Sequence, residues 1–237
     1  MNQFYDVLEW DSNFFKFPVA KLKNNSLSEN MGEKLENLYD QNIELGYYTS
    51  TIKISKEKLQ SRFYHLELVS TRIPIVKEMV NKTIIHPNIS LYEEQEPSED
   101  LISLALLAGQ NGRFGNDPRI SKEVYRKLFE CWIRNSIKKV IADEVLVYKV
   151  DEEVVGFATI KIDGNTGYAP LLAVKRKYEG KGVSFAIMRA IETRLIENEC
   201  KYVLSGTQEI NKKALSTFKR YGLQPQPAEY IYHLWRK

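Results

Sequence analysis

Tyr168-Ala169-Pro170-Leu171-Leu172-Ala173-Val174-Lys175-Arg176-Lys177-Tyr178-Glu179-Gly180-Lys181-Gly182-Val183-Ser184-Phe185-Ala186 is the stretch around which this 237-residue chain is organised. Its apolar run from Leu171 to Val174 reads as a buried strand. A short charged turn follows, with two glycines one residue apart, and then an amphipathic helix. In that helix Val183, Ala186, Ile187, Ala190, Ile191 and Leu195 recur at helical spacing. A strand feeding a glycine turn at a helix N-terminus is an anion cradle. The glycines let the backbone come close to a ligand, and the free amides of the first helical turn point at its phosphates. On these residues alone, an ordinary strand-to-helix turn with positive φ at one glycine explains the pattern equally well. Neither common nucleotide fingerprint fits, because the third glycine and distant acid of a dinucleotide fold are missing, as is Gly-Lys-Ser/Thr.

Composition bounds the rest. With 43% hydrophobic and 27% charged residues the chain has ordinary soluble globular make-up, long enough for one large domain or two small ones. A net charge of +3 with no dominant Lys/Arg cluster argues against nucleic acid or membrane as a partner. Cys131 and Cys200 lack metal-ligand spacing, so no metal and no disulfide framework are expected. The start, Met1-Asn2-Gln3-Phe4-Tyr5-Asp6, has neither the basic region nor the apolar core of a signal peptide. The longest apolar run, Leu104 to Ala108, is too short to span a bilayer. The expectation is a cytoplasmic protein.

Along the chain, residues 4–10 and 14–23 read as strands around an Asp11-Ser12-Asn13 turn, with Phe15, Phe17 and Val19 alternating. Ser28 to Leu45 reads as a helix closed by Gly46, Tyr47 to Ile54 as a strand, and Lys56 to Phe63 as a short helix. His65 to Val80 reads as one or two strands that Pro74 forces to an edge or a bend. Near residue 95 an acidic linker leads into a helix over 98–109, and after a Gly/Arg-rich loop Ser121 caps a helix to Ile137. Residues 145–150, 154–162 and 166–174 form a three-strand antiparallel meander. The glycine turn and helix 182–197 come next, then strand 202–206, helix 211–221 ended by Gly222, and strand 230–235.

That order, and the turn within it, resembles the GNAT acyltransferases. In that family a basic or Gln residue, two spacers, Gly, one spacer, and Gly or Ala wrap the pyrophosphate of coenzyme A. The residues compared with it are Glu179-Gly180-Lys181-Gly182-Val183-Ser184, with Glu179 in place of the usual Arg or Gln and Ser184 in place of a small residue. Asn211 to Leu223 is similar to the family's Asn, Ala, Tyr, Gly-Phe pattern, with Phe218 where the Tyr proton donor usually stands. The resemblance implies an α/β (α+β) fold with a central mixed, mostly antiparallel, splayed sheet flanked by helices. It also implies an acyl-CoA-binding catalytic domain over 96–237, after a smaller αβ domain over 1–95. Acetyl-CoA or another acyl-CoA is the implied cosubstrate, held by Leu172, Ala173, Val174, Gly180, Lys181, Gly182, Val183, Ser184, Asn211 and Phe218. The Val174 N–H would stabilise the thioester oxyanion.

Three further stretches resemble a narrower group, the nucleotide-amino-sugar N-acyltransferases typified by dTDP-fucosamine acetyltransferases. They are Leu8 to Pro18, Gly112 to Asp117, and Gly206-Thr207-Gln208 together with Tyr230 to Trp235. This implies transfer of an acetyl or larger acyl group to a nucleotide-linked amino sugar, with residues 1–95 helping to enclose that acceptor. Arg113, Phe114, Tyr168, Gln208 and His233 are the implied acceptor contacts; Val174, Asn211 and His233 are the candidates nearest the chemistry. A solvated loop Arg113 and a core His233 account for those two residues equally well, and His65 and His86 have no motif context. A homodimer is the family-level expectation. A CoA-binding protein without catalysis, and a protein or peptide N-acetyltransferase, stay open as other classes.

Overall fold

The structure, a computed structural model, describes residues 4–55, 57–82 and 84–237. In chain order it has β1 (Tyr5–Val7), α1 (Glu9–Phe15), β2 (Val19–Leu22), α2 (Met31–Asp40), β3 (Leu45–Ser50), β4 (Tyr64–Glu78) and β5 (Ile89–Leu91). Then come α3 (Glu99–Gly109), α4 (Lys122–Ile137), β6 (Glu144–Val150), β7 (Glu153–Asp163), β8 (Thr166–Tyr168) and β9 (Leu172–Val174). The remainder is α5 (Val183–Glu197), β10 (Tyr202–Gln208), α6 (Lys212–Tyr221), β11 (Gln224–Pro225) and β12 (Glu229–Arg236). The strands join in one mixed sheet of order β1-β2-β3-β12-β4-β10-β8-β7-β6-β5, with β11 on β4 and β9 on β7.

Helices cover both faces of the β6–β10 half. Leu101, Leu104, Phe129 and Ile133 of α3 and α4 pack on Val145, Val147, Phe157 and Ala173. Ile187, Ile191 and Leu195 of α5 pack on Leu146, Ala158 and Ile160, which point the opposite way from the same strands. Each such side chain withdrawn from water contributes about 1.5–3 kcal/mol. The two halves of the chain share strands. β12 lies between β3 and β4, and its Tyr232 and Leu234 sit in a core with Tyr5, Leu22, Leu35, Leu38 and Tyr64.

The helices expected after residue 95 form where their caps lie. Ser98 accepts from Leu101 N, Ser121 from Val124 N and Asn211 from Ala214 N, each satisfying an amide that the helix cannot. The first half departs from expectation. Residues 9–15 are helical: Trp10 and Phe14 stack at i, i+4 with ring centroids 5.4 Å apart, and Ser12 Oγ donates to Leu8 O at 2.7 Å. The aromatic alternation that suggested strands therefore serves a helix equally well. The helix expected to run to Leu45 stops at Asp40, with Asn42 at φ 56°, and Gly46 lies inside β3. Of the short helix expected over 56–63, Glu57–Leu59 makes one 3₁₀ turn, and Lys56 lies outside the described residues, as do Met1 to Gln3.

Pro74 neither ends nor edges β4. It falls between the segment paired to β12, which ends at Arg72, and that paired to β11, which starts at Ile75. No ladder N–H is needed there, and its carbonyl accepts from Gln226 N at 2.8 Å. The single strand expected over 166–174 is broken at Ala169-Pro170-Leu171 into β8 and β9. That break makes the site.

Candidate active site

β8 pairs in parallel with β10 from Thr166/Tyr202 to Tyr168/Leu204, and β9 pairs only with β7 among the described strands. The join between β8 and β10 is finished by Ala169 N donating to Leu204 O at 2.9 Å and Ser205 Oγ donating to Ala169 O at 2.7 Å. Beyond that point β9 and β10 part. Thr159 N donates to Leu171 O at 3.0 Å and Lys175 N to Val155 O at 2.8 Å, so residues 171, 173 and 175 turn their backbone groups to β7. By the alternation of an antiparallel ladder, the N–H and C=O of Leu172 and Val174 face the gap. A backbone edge that no strand pairs with is open to a ligand. An extended amide-bearing ligand laid along this edge would pair with it.

The gap leads to the glycine turn. Gly180 and Gly182 have φ of 76° and 84°, left-handed values that an L side chain rarely adopts. Gly182 is the N-cap of α5, no side chain among the described residues caps that end, and no acidic residue lies in its first turn. The amides of Val183 and Ser184 thus face outward at the positive end of a fifteen-residue helix. Glu153 staples the turn from the β6–β7 hairpin. It accepts from Lys175 at 2.8 Å, Lys177 at 2.8 Å and Tyr178 OH at 3.2 Å, and Lys175 also bonds Asp100 at the start of α3. Those donors, Lys175 first and then Lys177, hold the Glu153 carboxyl down to about 2.

Glu179 turns away from the turn and pairs with Lys213 on α6 at 3.0 Å. This corrects the alignment with the coenzyme A pattern. Counted back from the two positive-φ glycines, its basic position falls on Lys177, two residues before Glu179. The Lys181 ammonium lies 5.1 Å from the Tyr178 ring centroid and has no ion-pair partner among the described residues.

On α6, Asn211 spends its side-chain oxygen on the helix cap, at 3.2 Å from Ala214 N. Phe218 is buried against Ile75, Met188 and Leu223, and with Leu172, Ala169, Ser205 and Tyr221 it lines a small cavity at the gap. Tyr221 does not take over a proton-donor role. Its hydroxyl donates to Glu192 Oε2 at 3.0 Å, Glu192 pairs with Lys77 at 2.6 Å, and burial pushes the phenol far up.

The opposite face of the sheet carries a second group of residues. Glu229 of β12, Arg72 of β4 and Gln208 of β10 stand directly abreast, and Gly206, Leu204 and its partner Tyr168 continue the same face by alternation. Arg72 Nη1 donates to Glu229 Oε2 at 2.8 Å and Nη2 to Ser205 O at 3.3 Å. A Cβ on Gly206 would come within 2.7 Å of the Arg72 guanidinium, so a glycine is what lets that side chain lie across β10. The 110–119 loop covers this face, with Asn116 Nδ2 donating to Val69 O at 3.1 Å and Gly112 beside Gln208. Arg113 stacks between Tyr47 and Phe114, at 4.3 and 4.6 Å from their centroids, and has no ion-pair partner among the described residues. Loss of hydration pulls its pKa down, and Tyr47 and Asp11 act against that.

Residues 115–223 match the family model for the acetyltransferase (GNAT) family. This chain is built on the GNAT acetyltransferase fold. A putative acetyltransferase of the GNAT family from Novosphingobium aromaticivorans superposes with TM-score 0.60 at 11% identity, over 93% of this chain and 85% of that one. A GCN5-related N-acetyltransferase from Sphaerobacter thermophilus gives 0.55 at 13% identity, over 98% of this chain and 76% of that one. In sequence, the spore coat polysaccharide biosynthesis protein SpsD of Bacillus subtilis is 27% identical over 142 residues, 60% of this chain and 49% of that protein. N-alpha-acetyltransferase 30 of Xenopus laevis is 30% identical over 90 residues, 36% of this chain and 33% of that protein. The chain thus spans half or less of the length of these curated relatives.

On the GNAT fold the expected residues divide into three groups. Leu172, Val174, Gly180, Lys181, Gly182, Val183, Ser184 and Phe218 lie along the gap and its turn, whereas Ala173 points into the α3/α4 core. Tyr168 and Gln208 lie on the opposite face, with Tyr168 37% exposed. Phe114 and His233 do not present themselves to a ligand. Phe114 is 3% exposed among Tyr47, Phe15 and Trp132. His233 is fully buried, with Nδ1 2.6 Å from Asp117 Oδ2, which also accepts from Trp235 Nε1 at 2.8 Å. Burial lowers the His233 pKa, so the neutral ring is a strut between β12 and the 110–119 loop. The reading of His233 as a base gives way to that of a core histidine. Arg72 and Glu229 escaped sequence reasoning, because neither lies in a motif and only strand pairing brings them to Gln208.

Proposed function

We propose that this chain is an acyl-CoA-dependent N-acyltransferase whose acceptor is the amino group of a nucleotide-linked, dTDP-type amino sugar. The observation that carries the acyl-CoA half is the unpaired edge of β9 at the gap, continuous with the positive-φ glycine turn at the start of α5. Acyl-CoA is a substrate of the reaction. Its pantetheine amides pair with Leu172 and Val174, and its pyrophosphate rests on the amides of Val183 and Ser184 with Lys177 and Lys181 nearby. The Val174 N–H stabilises the oxygen of the tetrahedral intermediate. Phe218 packs against the arm and offers no proton, so the thiolate, with a thiol pKa near ~8.5, leaves without a dedicated donor.

The acceptor half rests on the resemblance of Leu8–Pro18, Gly112–Asp117, and Gly206–Gln208 with Tyr230–Trp235, to amino-sugar N-acyltransferases. The match to a protein whose name places it in polysaccharide biosynthesis supports the same reading. Arg113, stacked between Tyr47 and Phe114, supplies a cation for the nucleotide pyrophosphate, and Tyr168 and Gln208 line the sugar. The transferred group is acetyl or a larger acyl such as hydroxybutyryl. A second reading, acylation of a peptide α-amine, is favoured by the 90-residue match to N-alpha-acetyltransferase 30.

A thiol-release assay with acetyl-CoA tests both readings against dTDP- and UDP-linked 3-amino and 4-amino sugars and short peptides, with product mass as the second readout. Release with one sugar and a matching mass gain is expected. Release only with peptides overturns the sugar, and coenzyme A binding without turnover for any amine or longer acyl-CoA overturns catalysis.

A further inference from the structure

We propose that Glu229, held in place by Arg72, accepts the proton of the attacking amine, an inference that rests on the acyltransferase reading above. The vertex of the gap is Ser205. Its hydroxyl turns to the α5/α6 side and bonds Ala169 O, while its carbonyl accepts from Arg72 Nη2 at 3.3 Å. The same guanidinium donates from Nη1 to Glu229 Oε2 at 2.8 Å, so one rigid planar group fixes the carboxylate relative to the point where β9 and β10 part. Glu229 Oε1 has no partner among the described residues, and the side chain keeps 29% of its exposure. It can therefore reach an amine directly or through one water.

His233 is sealed in the core, the Tyr221 hydroxyl is committed to Glu192, and Phe218 has no proton to give. Of the side chains named on the acceptor face, Tyr168, Gln208, Arg72 and Glu229, the last alone is a carboxylate. An amine lying against the acceptor face can approach the gap beside Ser205, where the Arg72–Glu229 pair is anchored.

The acceptor arrives as an ammonium and passes one proton to Glu229. The neutral nitrogen attacks the thioester carbon, forming the C–N bond as the carbonyl π pair moves to oxygen. Collapse re-forms C=O and breaks C–S, the electron pair leaves on sulfur, and the second nitrogen proton neutralises the thiolate through solvent. Arg72 is a positioning residue.

The test uses the 237-residue chain and the amine on which the wild type shows turnover. Glu229→Gln keeps the shape and an acceptor for Arg72 but cannot take a proton. We expect its kcat to fall about 100-fold or more, with acetyl-CoA affinity by calorimetry unchanged within about twofold. Arg72→Gln should lower kcat in the wild-type background and have little further effect in Glu229→Gln, the coupling expected of residues that act as a unit. A Glu229→Gln kcat within about threefold of an active wild type overturns the proposal, as does loss of acetyl-CoA binding in that variant, which marks a structural role. A wild type that binds acetyl-CoA and acylates no amine overturns the parent reading instead, and the role of Glu229 with it.

Discussion

Replacing Gly182 by Ala is the cleanest perturbation of the proposed pyrophosphate cradle. The backbone there has φ 84° and ψ −6°, and a Cβ built on it meets no atom within 4 Å. Its cost is therefore conformational and not steric, about 1–2 kcal/mol for an L residue in the left-handed region. The protein can absorb that in two ways. If the turn keeps its shape, stability falls by the full amount, about 2–8 °C in melting temperature for a chain of this size. If the turn relaxes instead, the amides of Val183 and Ser184 lose their aim, and acetyl-CoA affinity falls by about 5–30-fold. Differential scanning calorimetry and titration calorimetry on the same preparation read both, and the two losses should sum to about 1–2 kcal/mol. Unchanged stability together with unchanged affinity would falsify the assignment of Gly182 as a strained cradle residue.

Arg113→Gln should raise the acceptor KM by about 10–100-fold and leave the acetyl-CoA KM alone, since a lost charge-assisted hydrogen bond costs about 1.5–3 kcal/mol. An unchanged acceptor KM would return Arg113 to a purely structural stacking role. Phe218→Ala should cost about 3–5 kcal/mol in urea unfolding, because a buried ring is deleted against Ile75, Met188 and Leu223; unaltered stability and CoA affinity would remove Phe218 from both core and site. The pH dependence has a definite sign. Burial depresses the His233 pKa, so below the unfolded value near ~6.5 the unfolded chain binds a proton that the folded one does not, and stability is lost as pH falls. Asp117 is likewise lowered by its bonds to His233, Arg119 N and Trp235, against the raising effect of burial, and its contribution is lost at still lower pH. The urea midpoint should therefore drop between pH 7.5 and 5.5 in wild type and less so in His233→Gln; equal slopes in the two would refute this linkage.

What the sequence determines by itself is what local pattern can carry. Helices α3, α4, α5 and α6 were legible because Ser98, Ser121, Asn211 and Gly222 mark their ends and the apolar spacing marks their faces. The glycine turn and the uncapped start of α5 were legible because positive φ and free first-turn amides are properties of neighbouring residues. Tertiary structure decided the rest. The Trp10–Phe15 aromatics lie on a helix whose Phe15 ring meets Phe114 from a distant loop, a contact that no local pattern shows. The break at Pro170, and with it the free edge of Leu172 and Val174, exists because β8 takes β10 as its second neighbour and β9 takes none among the described strands. Arg72, Gln208 and Glu229 come from distant parts of the chain and meet only because β4 is threaded between β10 and β12. Strand pairing is a non-local choice: alternation along one strand sets which way its side chains point, and only the partners it finds decide what they stand beside.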